Sequence, residues 1–307
     1  MDIAALRALL TIADCASISR AAERLDTAQP ALSRQLKRLE DEVGTPLFAR
    51  HGRGVKPTAA GRALIARAEP LVRQFTSLEA ELKGNATPAG EVVLGVPPTA
   101  ALVLLPEVVA DFAARHPRVR LKVVEGFSGF VTEWLEAGRL DLGILYHAAP
   151  GSGLHLEPLL DEPLVLVSAP GSDPQTGHPL PLAKALTRRL ILPSPPHGLR
   201  VLVDQAAARL GVRPWIDPEV EGLPAIKGLV AKGLGDTLLP AAAVAEEVAA
   251  GRLTTRHLEN PGLSRRLVLA RPAGRTPTTA TTRLAETVHN QVHHLLATGR
   301  WPAHRPT

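Results

Sequence analysis

The chain has 307 residues, 45% of them hydrophobic and 21% charged, enough to bury a large core and to make two or three domains rather than a disordered or fibrous polymer. Its single cysteine, Cys15, excludes an internal disulfide, and no apolar run reaches the length of a membrane span, since Pro106, Glu107 and Asp111 interrupt the longest. The net charge of +5 divides into +3 over residues 1–86, −5 over 87–250 and +7 over 251–307, so most of the excess lies in an arginine-dotted tail and is weak support for a nucleic-acid partner. The start, with Asp2 and no basic segment, lacks the form of an export signal, and the expected compartment is the cytoplasm.

In chain order, "SISRAAERL" is a short helix whose Ala21, Ala22 and Leu25 give a small apolar face, and "DTA" is a tight connection. In the next segment Leu32, Leu36, Leu39 and Val43 recur at helical spacing, while Pro30, Arg34, Lys37 and Asp41 fall on the opposite side. Asp26 or Thr27 is the expected N-cap, placing Pro30 in the first turn, where its missing N–H costs little. Two short helices joined by a turn predict a helix-turn-helix, whose second helix enters the major groove of double-stranded DNA. Gln29 suits a bidentate bond to adenine, Arg34 a fork onto guanine or phosphate, and Ser33 and Lys37 backbone contacts. The bare spacing fits a solvated helical hairpin equally well. The continuation favours DNA: Gly44 caps the helix, "PLFAR" is a short strand, Gly52 and Gly54 permit a hairpin, and Pro57-Thr58 begins another helix. That is a winged helix-turn-helix, with Arg50 and Arg53 on the wing.

From residue 58 to 83, Leu64, Ala68, Leu71, Phe75, Leu78 and Leu82 make a heptad stripe through nearly three repeats, interrupted by Pro70. The spacing alone fits a face packed on its own domain as well as a contact with a second copy. "KGNATPAGE" reads as a hinge.

After Glu91 the rhythm becomes α/β. "EVVLGV", "VRLKVVE" and "DLGILY" are strands separated by helices, and a second set follows with "PLVLVSA", "RLILPS", a helix near 199–210, "EV", a helix near Ala225 and "DTLLP". "RRLVLARP" reads as a return strand and "TTRLAETVHNQVHHLLATG" as a closing helix, giving two units joined by crossing strands. Thr99 and Ala100 lie at one strand-to-helix junction and Ser128 and Gly129 at the next. Ser194, His197 and Arg200 lie at a junction of the second unit. Such junctions favour a small polar or anionic metabolite, although Thr99 and Ser128 fit plain N-caps and Arg200 fits a neighbouring carboxylate equally well.

"AAERLDTAQPALSRQLKRLEDEVGTPLFARHGRGVKPTAAG" resembles the signature of LysR-type transcriptional regulators, with paired alanines, Gln-Pro-Ala-Leu-Ser, Leu-Phe-x-Arg and Thr-x-x-Gly in order. The looser segments "GVPPTAALVLLP", "GRLDLGILY" and "KGLVAKGLGDTLLP" extend it to nearly the whole chain. The resemblance implies an α/β protein with three parts: a DNA-binding winged helix-turn-helix at 1–58, a dimerising linker helix and hinge at 59–88, and an effector-binding domain at 89–303. The last is similar to two-lobed periplasmic binding proteins. It implies DNA contacts at Thr27, Gln29, Pro30, Ser33, Arg34, Lys37, Arg50 and Arg53, and self-association through Leu64, Leu71, Phe75 and Leu78. It also implies dimers paired into tetramers, contact with RNA polymerase, and no cofactor beyond a small-molecule effector. Asp236 departs from the family's usual apolar residue, and Gly222 leaves no side chain where relatives often offer a polar one.

An enzyme is not expected: HExxH, GxSxG, GxGxxG and P-loop patterns are absent, and Cys15 lacks a catalytic context. A transport binding protein would need an export signal. An architectural DNA binder without a ligand is the remaining alternative, separated from a regulator by whether a metabolite shifts its footprint.

Overall fold

The computed structural model describes residues 1–52, 54–82, 88–146, 153–172 and 178–306. Helices Ile3–Cys15 (α1), Ile18–Arg24 (α2) and Gln29–Val43 (α3) enclose a core of Leu6, Leu9, Ile12, Leu32, Leu36 and Leu39, with Ala21 and Ala22 fully buried where α2 crosses its neighbours. Small side chains at that crossing let the helix backbones approach closely. Val43 and Leu25, expected on buried faces, are exposed: Val43 is the last residue of its helix and Leu25 the C-cap of α2.

The expected cap of α3 is corrected. Asp26 and Thr27 spend their backbone N–H groups closing α2, on Glu23 O and Ala22 O, and the N-cap of α3 is Ala28, which has no side-chain cap bond. Pro30 is the second residue of α3, where no intrahelical donor is required. Gly44, at φ 74°, ends the helix in the left-handed region.

Strands Phe48–His51 (β1) and Gly54–Pro57 (β2) pair antiparallel as the wing. Gly54 has φ 137°, and a Cβ there would stand 2.2 Å from Ala16 O, so only glycine lets the wing dock on the end of α1. Thr58 Oγ1 accepts from Gly61 N at 3.0 Å and starts the long helix Ala59–Leu82 (α4), which contains Pro70.

The rest is two lobes built on a curled eight-stranded sheet, with a separate two-stranded parallel sheet in the second lobe. Gly90–Val96 (β3), helix Pro98–Arg115 (α5), Val119–Glu125 (β4), helix Ser128–Glu136 (α6) and Leu142–Tyr146 (β5) form parallel crossovers. Leu154–Ser168 (β6) then runs through both lobes. The second lobe contains Leu180–Pro181 (β7), helix Leu182–Leu186 (α7), Arg189–Leu192 (β8), helix Gly198–Leu210 (α8), Trp215–Glu219 (β9), helix Leu223–Ala231 (α9) and Thr237–Pro240 (β10). A 3-10 turn, helix Ala245–Ala249 (α10) and Thr254–Glu259 (β11) complete it. Ser264–Pro272 (β12) crosses back, and helix Thr279–Ala297 (α11) packs on α5. The order β4-β3-β5-β12-β6-β11-β7, with β10 also on β6, makes β6 and β12 the strands that join the lobes. Each lobe has its own core, one around Leu94, Leu104, Ile144 and Leu284, the other around Leu166, Leu190, Val203 and Leu238.

Sequence reading located the second half of β6 only. Its first half, "LHLEPLLDE", carries the charges His155, Glu157, Asp161 and Glu162 that obscured a strand, yet it pairs with β12. The "EV" strand lies earlier, at Trp215–Glu219.

Candidate functional site

Two surfaces matter, one on α3 and one between the lobes. On α3, Pro30, Arg34 and Lys37 lie opposite the buried leucines, with Gln29 at the helix start and Ser33 on the flank, and apart from the half-buried Ser33 all are exposed. Gln29 Nε2 donates to Ser33 Oγ at 3.2 Å, and Lys37 Nζ pairs with Asp41 at 2.9 Å, a hydrogen bond that raises the lysine's pKa. Both interactions are solvent-facing, so a phosphate or base edge can replace them at small cost. Thr27 and Arg50 are exposed as well. Arg53 lies outside the described residues.

The expected heptad stripe divides. Leu64 and Ala68 turn into the core of the helix-turn-helix, where Ala68 is fully buried. Leu71, Phe75 and Leu78 are 54%, 37% and 50% exposed and form an apolar row on the surface. Arg7 of α1 lies over the Phe75 ring and bonds Glu79 at 2.6 Å, tying α4 to the first domain.

Further along α4, Arg73 reaches the effector region. Its Nη2 donates to Gly138 O at 2.9 Å and to Arg139 O at 3.3 Å, in the turn just beyond the C-terminal end of α6. Asp141 Oδ2 stands 3.8 Å from Arg73 Nε and accepts from Val93 N at 2.8 Å. Burial raises the Asp141 pKa, opposed by Arg73.

The opposite end of α6 meets a cavity of about 220 Å³ between the lobes. The first turns of α5, α6, α8 and α9 border it, at Pro98 and Thr99, Ser128, Gly198 and Leu199, and Leu223 and Pro224. Its walls are mainly hydrocarbon: Pro97 and Phe127 from one lobe, Pro193, Leu202, Ile226 and Leu239 from the other.

A closed polar network makes one side of the cavity. Arg265 of β12 is paired across strands with Glu162 of β6; Nε and Nη2 both lie 2.8 Å from Glu162 Oε2, with the two side chains 6% and 1% exposed. Trp301 Nε1, from the chain beyond α11, donates to Glu162 Oε1 at 2.7 Å. Arg265 Nη2 also donates to Thr99 Oγ1 at 2.8 Å, Thr99 donates to the Tyr146 hydroxyl at 3.2 Å, and the guanidinium lies 3.5 Å from the Tyr146 ring centroid. Burial, foremost, raises the Tyr146 pKa and keeps the phenol protonated. Next to this pair on the same strands, Arg266 pairs with Asp161 on the other face. A one-residue slip would set Arg265 opposite Pro163 or Arg266 opposite Leu160, so the charges help fix register.

Of the expected effector residues, the cavity brings together Thr99, Ser128 and His197. Thr99 and Ser128 are not N-caps: those positions are Pro97 and Phe127, and the Ser128 hydroxyl accepts from Tyr146 N at 2.9 Å. His197 is the N-cap of α8, its Nδ1 accepting from Leu199 N at 3.1 Å with Phe127 edge-on at 4.4 Å. Burial lowers its pKa, and nearby Arg265 acts in the same direction. Ala100, Gly129, Ser194 and Arg200 stand outside the lining. Ala100 is packed in the core, Ser194 N donates to Glu221, and Arg200 is held by Asp204 at 3.0 Å and by Glu219. Asp236 is buried and accepts from Arg188, while Gly222 borders the cavity at φ 90°.

A helix-turn-helix with a wing, joined by a long helix to a two-lobed domain with a cavity at its strand junctions, is the combination that two family profiles describe. The profile of the LysR substrate binding domain matches residues 85–292, and that of the bacterial regulatory helix-turn-helix protein, lysR family, matches residues 3–62. The chain belongs to the LysR family of transcriptional regulators. This LysR-type regulator is 31% identical over 305 residues to the HTH-type transcriptional regulator BbuR of Bordetella bronchiseptica, spanning 99% of this chain and 94% of that protein. It is 35% identical over 283 residues to a probable hydrogen peroxide-inducible genes activator of Streptomyces viridosporus, spanning 89% and 88%. Among solved structures, a Corynebacterium glutamicum OxyR C206 mutant superposes with a TM-score of 0.68 at 26% identity, covering 96% of this chain and 94% of that one. Full-length CbnR in complex with its target DNA shares the fold, with a TM-score of 0.66 at 21% identity over 95% and 100% of the chains. The LysR-type regulator is thus a DNA-binding, effector-responsive transcription regulator that acts as an oligomer, not an enzyme. Among its described residues no helix is long and apolar enough to cross a membrane.

Sequence reading missed Arg265, Glu162, Tyr146 and Trp301. One signal was present: in "SRRLVLARP" the strand alternation sets Arg265 on the same side as Leu267, an arginine at an inward position, which demands a buried partner.

Proposed function

We propose that this regulator reads its operator with α3 and couples the metabolite cavity to the DNA through α6 and Arg73. Gln29, Ser33, Arg34 and Lys37 contact the major groove, Thr27 and Pro30 fit the helix start against the backbone, and Arg50 and Arg53 on the wing reach the adjacent groove. Leu71, Phe75 and Leu78 of α4 bury their apolar row against a second copy, dimers pair into tetramers, and the assembled regulator contacts RNA polymerase from the cytoplasm. The working units are the DNA-binding domain at 1–58, the linker at 59–88 and the effector domain at 89–303.

The observation that carries this reading is that α6 has its first turn at the cavity and that the turn following its last residue, at Gly138 and Arg139, is held by the Arg73 guanidinium of the linker helix. A ligand that closes the lobes shifts Ser128 and its helix, and the displacement reaches α4 through Arg73, altering the angle between paired recognition helices and hence the bend in the DNA. Footprinting on the promoter of a divergently transcribed neighbouring gene, with and without that pathway's metabolites, tests both halves. Arg34→Ala and Gln29→Ala are expected to weaken operator binding by about 1–3 kcal/mol each, while Lys37→Ala weakens all sequences alike and flattens the salt dependence. Arg73→Ala is expected to leave operator affinity intact without metabolite and to remove the metabolite-dependent change. A footprint that still shifts in Arg73→Ala rejects the coupling, and unchanged affinity in Arg34→Ala rejects α3 as the reader.

A further inference from the structure

We infer that the ligand of the inter-lobe cavity is a small monoanion with an apolar body, a single carboxylate on a hydrocarbon chain or ring. The inference rests on the reading of this cavity as the effector site and deepens it by naming the chemistry the walls accept. It narrows the strand-junction expectation of a small polar or anionic metabolite, because the side chains between the junctions are mainly apolar.

Three observations lead to it. The first is the shape of the positive field. The first turns of four helices, α5, α6, α8 and α9, border the cavity, and each carries the partial positive charge of a helix N-terminus. In α5 and α9, however, Pro98 and Pro224 occupy first-turn positions and contribute rings in place of N–H groups. The cavity therefore attracts negative charge over its volume while offering donors at few points, concentrated on α6 and α8.

The second is the state of the ionisable groups. Arg265 is the cationic side chain of the lining, and its Nε and Nη2 are already committed to Glu162 and Thr99. Glu162 is fixed in turn by Trp301, so the buried pair is neutral as a unit and only the Nη1 edge of the guanidinium is uncommitted. His197, which would supply a second positive charge, is pushed toward its neutral form by burial. Glu125, an exposed residue at the border of the cavity, adds no positive charge. With one uncommitted guanidinium edge and no second cation in the lining, one carboxylate finds a partner here and two do not.

The third is the remaining wall. Phe127, Pro193, Leu202, Leu223, Ile226 and Leu239 present hydrocarbon from both lobes, so a hydroxylated or zwitterionic ligand would strand polar groups against them. An apolar body gains from the same surface as the lobes close. A volume of about 220 Å³ admits a small molecule and not a nucleotide or peptide.

Calorimetry on the full-length chain without DNA, using hexanoate, adipate and hexanamide as probes, tests the inference. These share a six-carbon skeleton and carry one, two and no negative charges. Hexanoate is expected to bind at least tenfold more tightly than either of the others, and Leu202→Trp or Leu223→Trp, which fill the cavity from α8 and from α9, should abolish its binding. Adipate or hexanamide binding as well as hexanoate overturns the inference, as does the failure of hexanoate, octanoate and phenylacetate alike to bind. Persistence of hexanoate binding in a folded cavity-filled variant overturns it too. Because occupancy is read without DNA, the two readings fail separately. A monocarboxylate that binds the cavity yet never moves a footprint rejects the effector role and not the ligand class, whereas a dianion that binds and moves the footprint does the reverse.

Discussion

Removing Glu162 should destabilise the effector domain far more than removing Glu162 and Arg265 together. In Glu162→Ala the guanidinium of Arg265 stays buried without its counter-ion, and the Trp301 indole loses its acceptor. Breaking one side of a buried pair costs about 3–5 kcal/mol, of which a stranded indole donor accounts for about 1–3. Arg265→Met should cost a similar amount, since Glu162 then retains its charge with only the indole as a strong donor. The double variant Glu162→Leu/Arg265→Met replaces both charges with hydrocarbon of similar bulk, leaving mainly the unpaired indole, about 1–3 kcal/mol. With Glu162→Leu as the matching single, which strands Arg265 as Glu162→Ala does, the singles sum to about 6–10 kcal/mol, so the coupling should be about 3 kcal/mol or more. Urea unfolding followed by tryptophan fluorescence is the suitable assay, because Trp134, Trp215 and Trp301 all lie in the two lobes and none lies in the DNA-binding domain. Additive losses, or a loss under about 1 kcal/mol for Glu162→Ala, would show that water enters the pair and that the network does not hold the wall of the cavity.

Two further outcomes follow from exposed and titrating groups. Glutamates at Leu71 and Leu78 together should dissociate the oligomer, since an unpaired charge in a two-helix contact is costly; sedimentation should show smaller particles, and an unchanged size would mean the apolar row meets no second copy. The folded-state pKa of His197 lies below its ordinary value of 6.5, so the folded protein resists the proton that the unfolded chain accepts. Stability is complete above that ordinary value and falls as pH drops from 6.5 toward the lowered pKa. His197→Asn, which keeps an N-cap acceptor for Leu199, should lessen that decline, and equal urea midpoints against pH in both proteins would refute the assignment.

The parts of this molecule that could be read in advance are those whose determinants are near neighbours in the chain. The stripe Leu32, Leu36 and Leu39, Gly44 as a left-handed stop and Pro30 in a first turn are decided within one helix, and the wing within ten residues. The cap was misplaced because Asp26 and Thr27 are good capping residues whose backbone is used to close the preceding helix. The division of the α4 stripe was hidden for another reason: heptad spacing is the same whether the residue faces its own domain, as Ala68 does, or solvent, as Leu71 does. In the cavity, local motifs found the helix starts at Thr99, Ser128 and His197 and overreached to Ser194 and Arg200, which neighbouring carboxylates hold. The Arg265 network was beyond local reading, since its partners are 103 and 166 residues away and Trp301 meets Glu162 across 139.

That long-range network also explains how a chain with an excess of basic residues near its end can offer a nearly neutral cavity. Arg265 is matched to Glu162, Arg266 to Asp161, and Arg300 to Glu107 of α5 at 2.7 Å, each pair spanning more than a hundred residues. These three arginines are therefore committed mainly to fixing strand register and fastening the chain end to the first lobe, which leaves the Nη1 edge of Arg265 for an anion. With side-chain charge largely consumed in this way, selectivity falls mainly to backbone dipoles, which are weak, directional and fixed by the helices themselves. A ligand held by helix ends on both lobes is sensitive to how far apart those ends stand. The affinity of such a site depends on lobe separation, and by linkage its ligand favours the closed form by the same free energy. Few strong side-chain contacts in the cavity are thus compatible with control of conformation, provided that α6, with one end in the cavity and the turn after the other held by Arg73, moves with the lobe that carries it.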